Sequence, residues 1–197
     1  EIVERIPRDV DVIGFSGMFS GEWPTLRHLI NETRKQFPDI LLVAGGEHVT
    51  SLTEYSLNDC KSLDVCVRGE GENTFYELLE AYRNDKDYSK ITGIGFLNKN
   101  GDYQQNDNIS NLGDTPRIRE IDKIPWPDWP EGYLEKFWDA GKSYGLGTGR
   151  DMPFMFSRGC PYQCTFCSNP QMWTTRYVLR DIDDIINEIK YYKNKYN

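Results

Sequence analysis

The chain has 197 residues, 38% hydrophobic and 13% aromatic, enough to build a core, with a formal net charge of −8. That balance argues against the basic patch that a nucleic-acid or anionic-membrane surface needs, and no apolar run approaches the ~20 residues that span a bilayer. Five cysteines, three of them crowded between positions 160 and 167, make poor disulfide arithmetic and point to a reducing cytoplasm and metal chemistry.

Taken in order, "DVIGFS" (11–16) predicts a short buried strand. "PTLRHLINETRKQF" predicts a helix, with Leu26, Leu29, Ile30 and Phe37 near helical spacing, Pro24 at its start and Pro38 after its end. "ILLVAGG" (40–46) is a second apolar strand running into a glycine pair. A short helix fits 51–59, and "DVCVRGEGE" (64–72) is a third strand that ends in a glycine-acid turn. "NTFYELLEAYRN" places Phe75, Leu78, Leu79 and Tyr82 on one helical face, and "ITGIGFLNKNGDYQQN" is a hairpin about Asn100-Gly101. Strands alternating with helices imply an α/β fold with a parallel sheet, whose ligands sit at the carboxyl ends of the strands.

Residues 107–150 hold Pro116, Pro125, Pro127 and Pro130 and read as a linker that packs Trp126 and Trp129 on a surface. "MPFMFS" (152–157) predicts a strand, and "RDIDDIINEIKYYKNKY" an amphipathic helix. That helix has Ile182, Ile185, Ile186, Ile189 and Tyr192 on one stripe and Asp181 as its N-cap. The sequence starts at Glu1 and stops at Asn197 directly after a helical stretch, so a fragment of a longer protein is expected.

Between that strand and that helix lies "SRGCPYQCTFCSNP", with Cys160, Cys164 and Cys167 spaced C-x3-C-x2-C. A closed structural zinc site takes four protein ligands and a ferredoxin cluster four thiolates. No fourth cysteine follows. Cys60 and Cys66 lie far upstream at a predicted buried strand and read as core thiols. Three thiolates on a 4Fe–4S cluster leave one iron open for a substrate or cofactor. The other readings of the loop are a zinc site and a redox sensor.

The spacing, with Phe166 just before the third cysteine, resembles the radical S-adenosylmethionine superfamily. That resemblance implies Cys160, Cys164 and Cys167 as cluster ligands and S-adenosylmethionine chelating the open iron. It implies Phe166 against the adenine, with Arg158, Gly159 and Pro161 shaping the loop. "DVIGFSGMF", "LLVAGGEHVT" and "VRGEGENTFYELL", in that order, resemble the cobalamin-binding domain that precedes many radical cores, and "EIDKIPWPDWP" resembles the linker between the two.

The implied organisation is an N-terminally incomplete, doubly wound, flavodoxin-like or Rossmann-like cobalamin domain over 1–106 and a linker over 107–150. The start of a radical βα barrel follows over 151–197, C-terminally incomplete. The implied cobalamin residues are Ser16, Met18, Gly45, Gly46, Glu47, His48, Gly69, Glu70, Gly71 and Glu72. Met18 stands where the wider family often has leucine, and the D-x-H-x-x-G motif is absent, so no cobalt-ligating histidine is assigned. The function expected is radical-based methyl transfer or cyclisation on a small-molecule substrate, with an electron donor such as flavodoxin or ferredoxin. The 197-residue chain alone is expected to be inactive, and no catalytic residue is assigned. The alternatives are a radical enzyme that binds no cobalamin and a zinc-binding or redox-sensing interaction domain.

Overall fold

A computed structural model of the chain describes residues 2–106, 117–145, 149–173 and 175–196. In chain order the elements are β1 (Val12–Ser16), α1 (Trp23–Gln36), β2 (Leu41–Gly45), α2 (Glu47–Ser51), α3 (Thr53–Asp59), β3 (Val65–Val67) and α4 (Gly71–Arg83). They continue with β4 (Ile94–Leu97), β5 (Tyr103–Gln105), α5 (Tyr133–Asp139), β6 (Ser157–Arg158), α6 (Asn169–Met172), β7 (Val178–Leu179) and α7 (Ile182–Tyr196). The chain forms two compact units, residues 1–118 with 159–176, and residues 119–158 with 177–197.

The first unit is built on one sheet of order β1-β2-β3-β4-β5. β1, β2 and β3 run parallel, with Ser16 opposite Gly45 and Gly45 opposite Val67. β4 and β5 close the sheet as an antiparallel hairpin. Alternation along β2 separates two cores. Leu42 and Ala44 pack with Trp23, Ile30, Val49 and Leu57, whereas Leu41 and Val43 pack with Val65, Val67 and Leu78. A strand covered on both faces reads as an unbroken apolar run, which is why β2 is so plain in the sequence. Each such buried aliphatic side chain contributes about 1.5–3 kcal/mol. α1 is tied to α3 by the Trp23 indole and the Arg27 guanidinium, which donate to Asp59 at 2.9 and 2.8 Å. Among the described residues no helix is long and apolar enough to cross a membrane.

Several local expectations need correction. The helix expected over 51–59 is α3, and a separate short helix, α2, not expected, precedes it with a break at Leu52. The Thr53 hydroxyl donates back to the carbonyls of Val49 and Thr50 and satisfies groups that the break exposes. The expected linker contains a helix, α5, which begins just past the last proline, with Tyr133 N bonded to Pro130 O. Pro116 lies outside the described residues. The strand expected over 152–157 shrinks to the two residues of β6, whose partner is β7. Upstream of it Arg180 holds the backbone twice, its N donating to Phe156 O and its guanidinium to Met155 O, each at 3.0 Å.

In the second unit α7 is capped as expected, with Asp184 N bonded to Asp181 Oδ1 at 3.0 Å. Its apolar stripe is only partly buried: Tyr192 is buried and Ile185 and Ile189 are half-buried, whereas Ile182 is 75% exposed, Ile186 is also exposed, and the charged Glu188 is buried among them. Arg180 draws the helix round by pairing with Glu188 at 2.5 Å and with Asp184. The linker tryptophans do pack: the Trp126 indole donates to Asp184 and its ring lies 5.8 Å from that of Tyr191, and Trp129 stacks on Tyr133.

Candidate functional site

At the carboxyl ends of β1, β2 and β3 the first unit has an open cavity of about 600 Å³. Ser16, Met18, Gly45, Gly69, Glu70, Gly71 and Glu72 line it, so seven residues expected at one ligand converge there. Gly14 and Phe15 from β1, Val43 from β2, Val67 from β3, Phe75 from α4, and Met172 and Trp173 from the segment after the cysteines complete the wall. Gly14 is exposed on its face of the sheet, and a Cβ there would reach Phe75 only at 4.0 Å. A glycine inside a strand is a known mark of close approach by a ligand or a second backbone, so this signal was present in the sequence. Met172 and Trp173 carried no pattern that singled them out.

The remaining three expected residues lie off the cavity wall. Gly46 has φ +107° and ψ −177°. Its α-carbon faces the Gly17 backbone, where a Cβ would come within 2.7 Å of Gly17 O. Its glycine serves the packing of one loop on another. Glu47 accepts a hydrogen bond from the Ser168 hydroxyl in the segment after the cysteines. His48 is 4% exposed and borders a second cavity of about 330 Å³ that shares Ser16 and Met18 with the first. Its Nδ1 lies 2.8 Å from Ser20 Oγ, and its ring packs 4.8 Å from that of Trp23. Burial holds its basicity below the ordinary histidine value.

Glu70 borders the main cavity, yet its carboxylate is wholly buried. It pairs with Arg117 Nε at 3.0 Å and accepts from Ile118 N at 2.5 Å. The Arg117 guanidinium in turn lies over the Trp173 ring at 5.6 Å.

The cysteine loop belongs to the same unit. Cys160 is half-buried, and Cys164 and Cys167 are exposed. Cys167 N bonds Cys164 O at 3.1 Å, and Asn169 N donates to Cys167 Sγ at 3.4 Å. Gly159 sits at φ +87° against the Arg176 carbonyl, a position with no room for a side chain. Phe166 is 92% exposed. Among the described residues no three His, Cys, Asp or Glu side chains are gathered into a metal-holding set. What fits an iron–sulfur cluster is the donor chemistry: three soft thiols on one short exposed loop. Cys60 and Cys66 are buried in the sheet core, and burial pushes both thiols up, away from the thiolate that a metal needs.

Residues 1–79 match the family model of the B12 binding domain. An uncharacterized methyltransferase of Pyrococcus horikoshii is 29% identical over 92% of this chain and 36% of its own length. The anaerobic magnesium-protoporphyrin IX monomethyl ester cyclase of Cereibacter sphaeroides is 33% identical over 81% of this chain and 24% of its own length. The chain thus spans about a third or less of these relatives. The solved structure of the cobalamin-dependent S-adenosylmethionine radical enzyme OxsB superposes with a TM-score of 0.70 at 18% identity. That match covers 96% of this chain and 24% of that one, a likeness of fold. The cobalamin-dependent radical SAM methyltransferase TokK of Streptomyces tokunonensis is 28% identical over 77% of this chain and 21% of its own length. Residues 1–79 thus carry a B12-binding domain, and the chain is similar along most of its length to radical S-adenosylmethionine proteins that have one.

Proposed function

We propose that this chain loads the cofactors of a radical enzyme that methylates or cyclises a small-molecule substrate. In this reading cobalamin lies in the cavity at the carboxyl ends of β1–β3. Cys160, Cys164 and Cys167 hold a 4Fe–4S cluster, and S-adenosylmethionine binds the open iron with Phe166 against its adenine. Residues 1–106 form the cobalamin part, 107–150 the linker and 151–197 the start of the radical barrel. A flavodoxin or ferredoxin in the cytoplasm supplies the electron.

The observation that carries the reading is the convergence of seven residues, drawn from three separate glycine-containing turns, on one cavity. Glycines on that wall let backbone come close to a bulky ligand, and the Ser16 hydroxyl offers a hydrogen bond to a polar nucleotide tail. The bound cofactors supply one-electron cleavage of a sulfonium and a methyl or radical partner. The protein contributes placement and exclusion of water. Gly159 fixes where the cysteine loop leaves the backbone of Arg176, and Ser168 ties the segment after the loop to Glu47 beside the cavity.

Anaerobic purification of the complete protein, followed by iron, sulfide and zinc analysis and by titration with hydroxocobalamin, tests this. The expected result is about four iron and four sulfide per chain together with retained corrin absorbance. Zinc without iron and sulfide would overturn the cluster assignment. An intact cluster with no retained corrin would overturn the cobalamin assignment and leave a radical enzyme whose sheet serves another purpose.

A further inference from the structure

The wall of the main cavity is not made by the sheet alone. Met172, 5% exposed, and Trp173 enter it from α6 and the residue after it, downstream of the cysteines. Their placement is fixed at several points. Ser168, at the N-terminal side of α6, donates to Glu47. Met172 N bonds Ser168 O at 3.0 Å, and Trp173 N bonds Asn169 O at 2.8 Å. Arg117 lies over the indole, its guanidinium carbon 5.6 Å from the ring centroid, and its Nη2 donates to Arg176 O at 3.4 Å just beyond. Arg117 is held in turn by the buried carboxylate of Glu70, itself on the cavity border.

The arrangement has a simple physical logic. A large, flat, mostly apolar macrocycle is best met by a rigid flat side chain, and tryptophan offers the largest such surface at little cost in rotamer freedom. A guanidinium over one ring face, anchored by a desolvated carboxylate, fixes the indole plane by cation–π attraction, which is stronger away from water. We infer that Trp173 is a cofactor-contacting wall of the cobalamin cavity, held in its working orientation by the Arg117–Glu70 pair. The inference rests on the cobalamin reading of the cavity and adds to it a contact from beyond the cysteine loop. Met172, one residue before Trp173, lines the same cavity.

The test uses the complete protein with Trp173→Ala, Trp173→Phe and Arg117→Met, titrated with hydroxocobalamin by corrin absorbance and by tryptophan emission. Corrin absorbs where indole emits, so a tryptophan in contact is quenched strongly. Trp173→Ala should weaken binding at least tenfold, Trp173→Phe should recover most of that loss, and Arg117→Met should fall between. Iron and sulfide content should stay at the parent level in all three, which separates a lost contact from a collapsed cysteine loop. If Trp173→Ala does not fold, Trp173→Phe still decides: the inference requires it to lack the most strongly quenched part of the parent's emission. Parent-like affinity in Trp173→Ala, or an unchanged quenched component in Trp173→Phe, overturns the inference while leaving the cobalamin reading standing. Failure of the parent itself to retain corrin defeats both.

Discussion

Gly46 lies with its α-carbon against the carbonyl of Gly17, so that a single added methyl would stand 2.7 Å from that oxygen and 3.1 Å from Met18 Sδ. One residue earlier, Gly45 lines the main cavity, and a methyl there would meet Val67 O at an ordinary 3.6 Å. Two adjacent glycines therefore do different work. Gly46→Ala should lower stability by about 1–3 kcal/mol, because its backbone occupies a region essentially reserved for glycine. Gly45→Ala should leave the urea midpoint nearly unchanged and weaken hydroxocobalamin binding several-fold. Equal unfolding midpoints for the two variants would contradict the assignment.

The cysteines should divide three against two. Cys160→Ala, Cys164→Ala and Cys167→Ala should each lose most iron and sulfide after anaerobic reconstitution, since an already open cluster cannot spare a thiolate. Cys60→Ala and Cys66→Ala remove small buried groups and should keep the cluster, at a cost of about 1 kcal/mol in stability. Metal counts on all five variants check this, and a four-against-one division would point to a closed site.

His48 gives a pH dependence of known sign. Its ring is buried and its proton affinity depressed, so below the ordinary value of 6.5 the unfolded chain takes up the proton before the folded one does. Stability should therefore fall as the pH drops from about 6.5. Asp59, held below its ordinary 3.8 first by the Trp23 indole and then by Arg27, acts in a lower window. His48→Gln should flatten the stability curve between pH 6.5 and 4.5, as read by urea unfolding at stepped pH. A curve that keeps the parent's slope in that interval would remove His48 as the cause.

The Arg180–Glu188 pair is buried, and Glu188 is 2% exposed. Arg180→Ala leaves that carboxylate buried without its guanidinium and should destabilise the second unit by about 3–5 kcal/mol. Arg180→Met with Glu188→Leu removes both charges and should recover much of the loss. Thermal unfolding of both variants makes the comparison, and a double variant no better than the single one would show that the bonds of Arg180 to Met155 and Asp184 matter more.

The legible parts of the sequence were those where one local rule acts without competition. β2 is apolar because both its faces are covered, and α1 begins at a proline and ends before one. The glycine turns pointed to the cavity because backbone must come close there. In α7 the stripe was legible at Ile185, Ile189 and Tyr192 but not at Ile182 and Ile186, because a buried ion network shares the inner face: Arg180 turns Glu188 inward, and no periodicity of apolar residues encodes that. "MPFMFS" has strand composition, but most of it lacks ladder partners and is held by Arg180 instead. Trp173 was missed for a third reason. Its significance comes from Glu70 and Arg117, residues distant in sequence, and only their meeting in space marks it.

The main cavity's wall includes four glycines, Gly14, Gly45, Gly69 and Gly71, where the chain can offer main chain alone. Amide and carbonyl groups are the same at every position, so the chemistry offered there does not depend on which neighbouring side chains a homologue happens to carry. Such a surface can keep its character while the sequence around it drifts widely. Its vulnerability is a single kind of change, the arrival of a β-carbon. Retuning the site for a differently shaped ligand would then proceed less by exchanging functional groups than by adding or removing methyl-sized steps along the glycine edge.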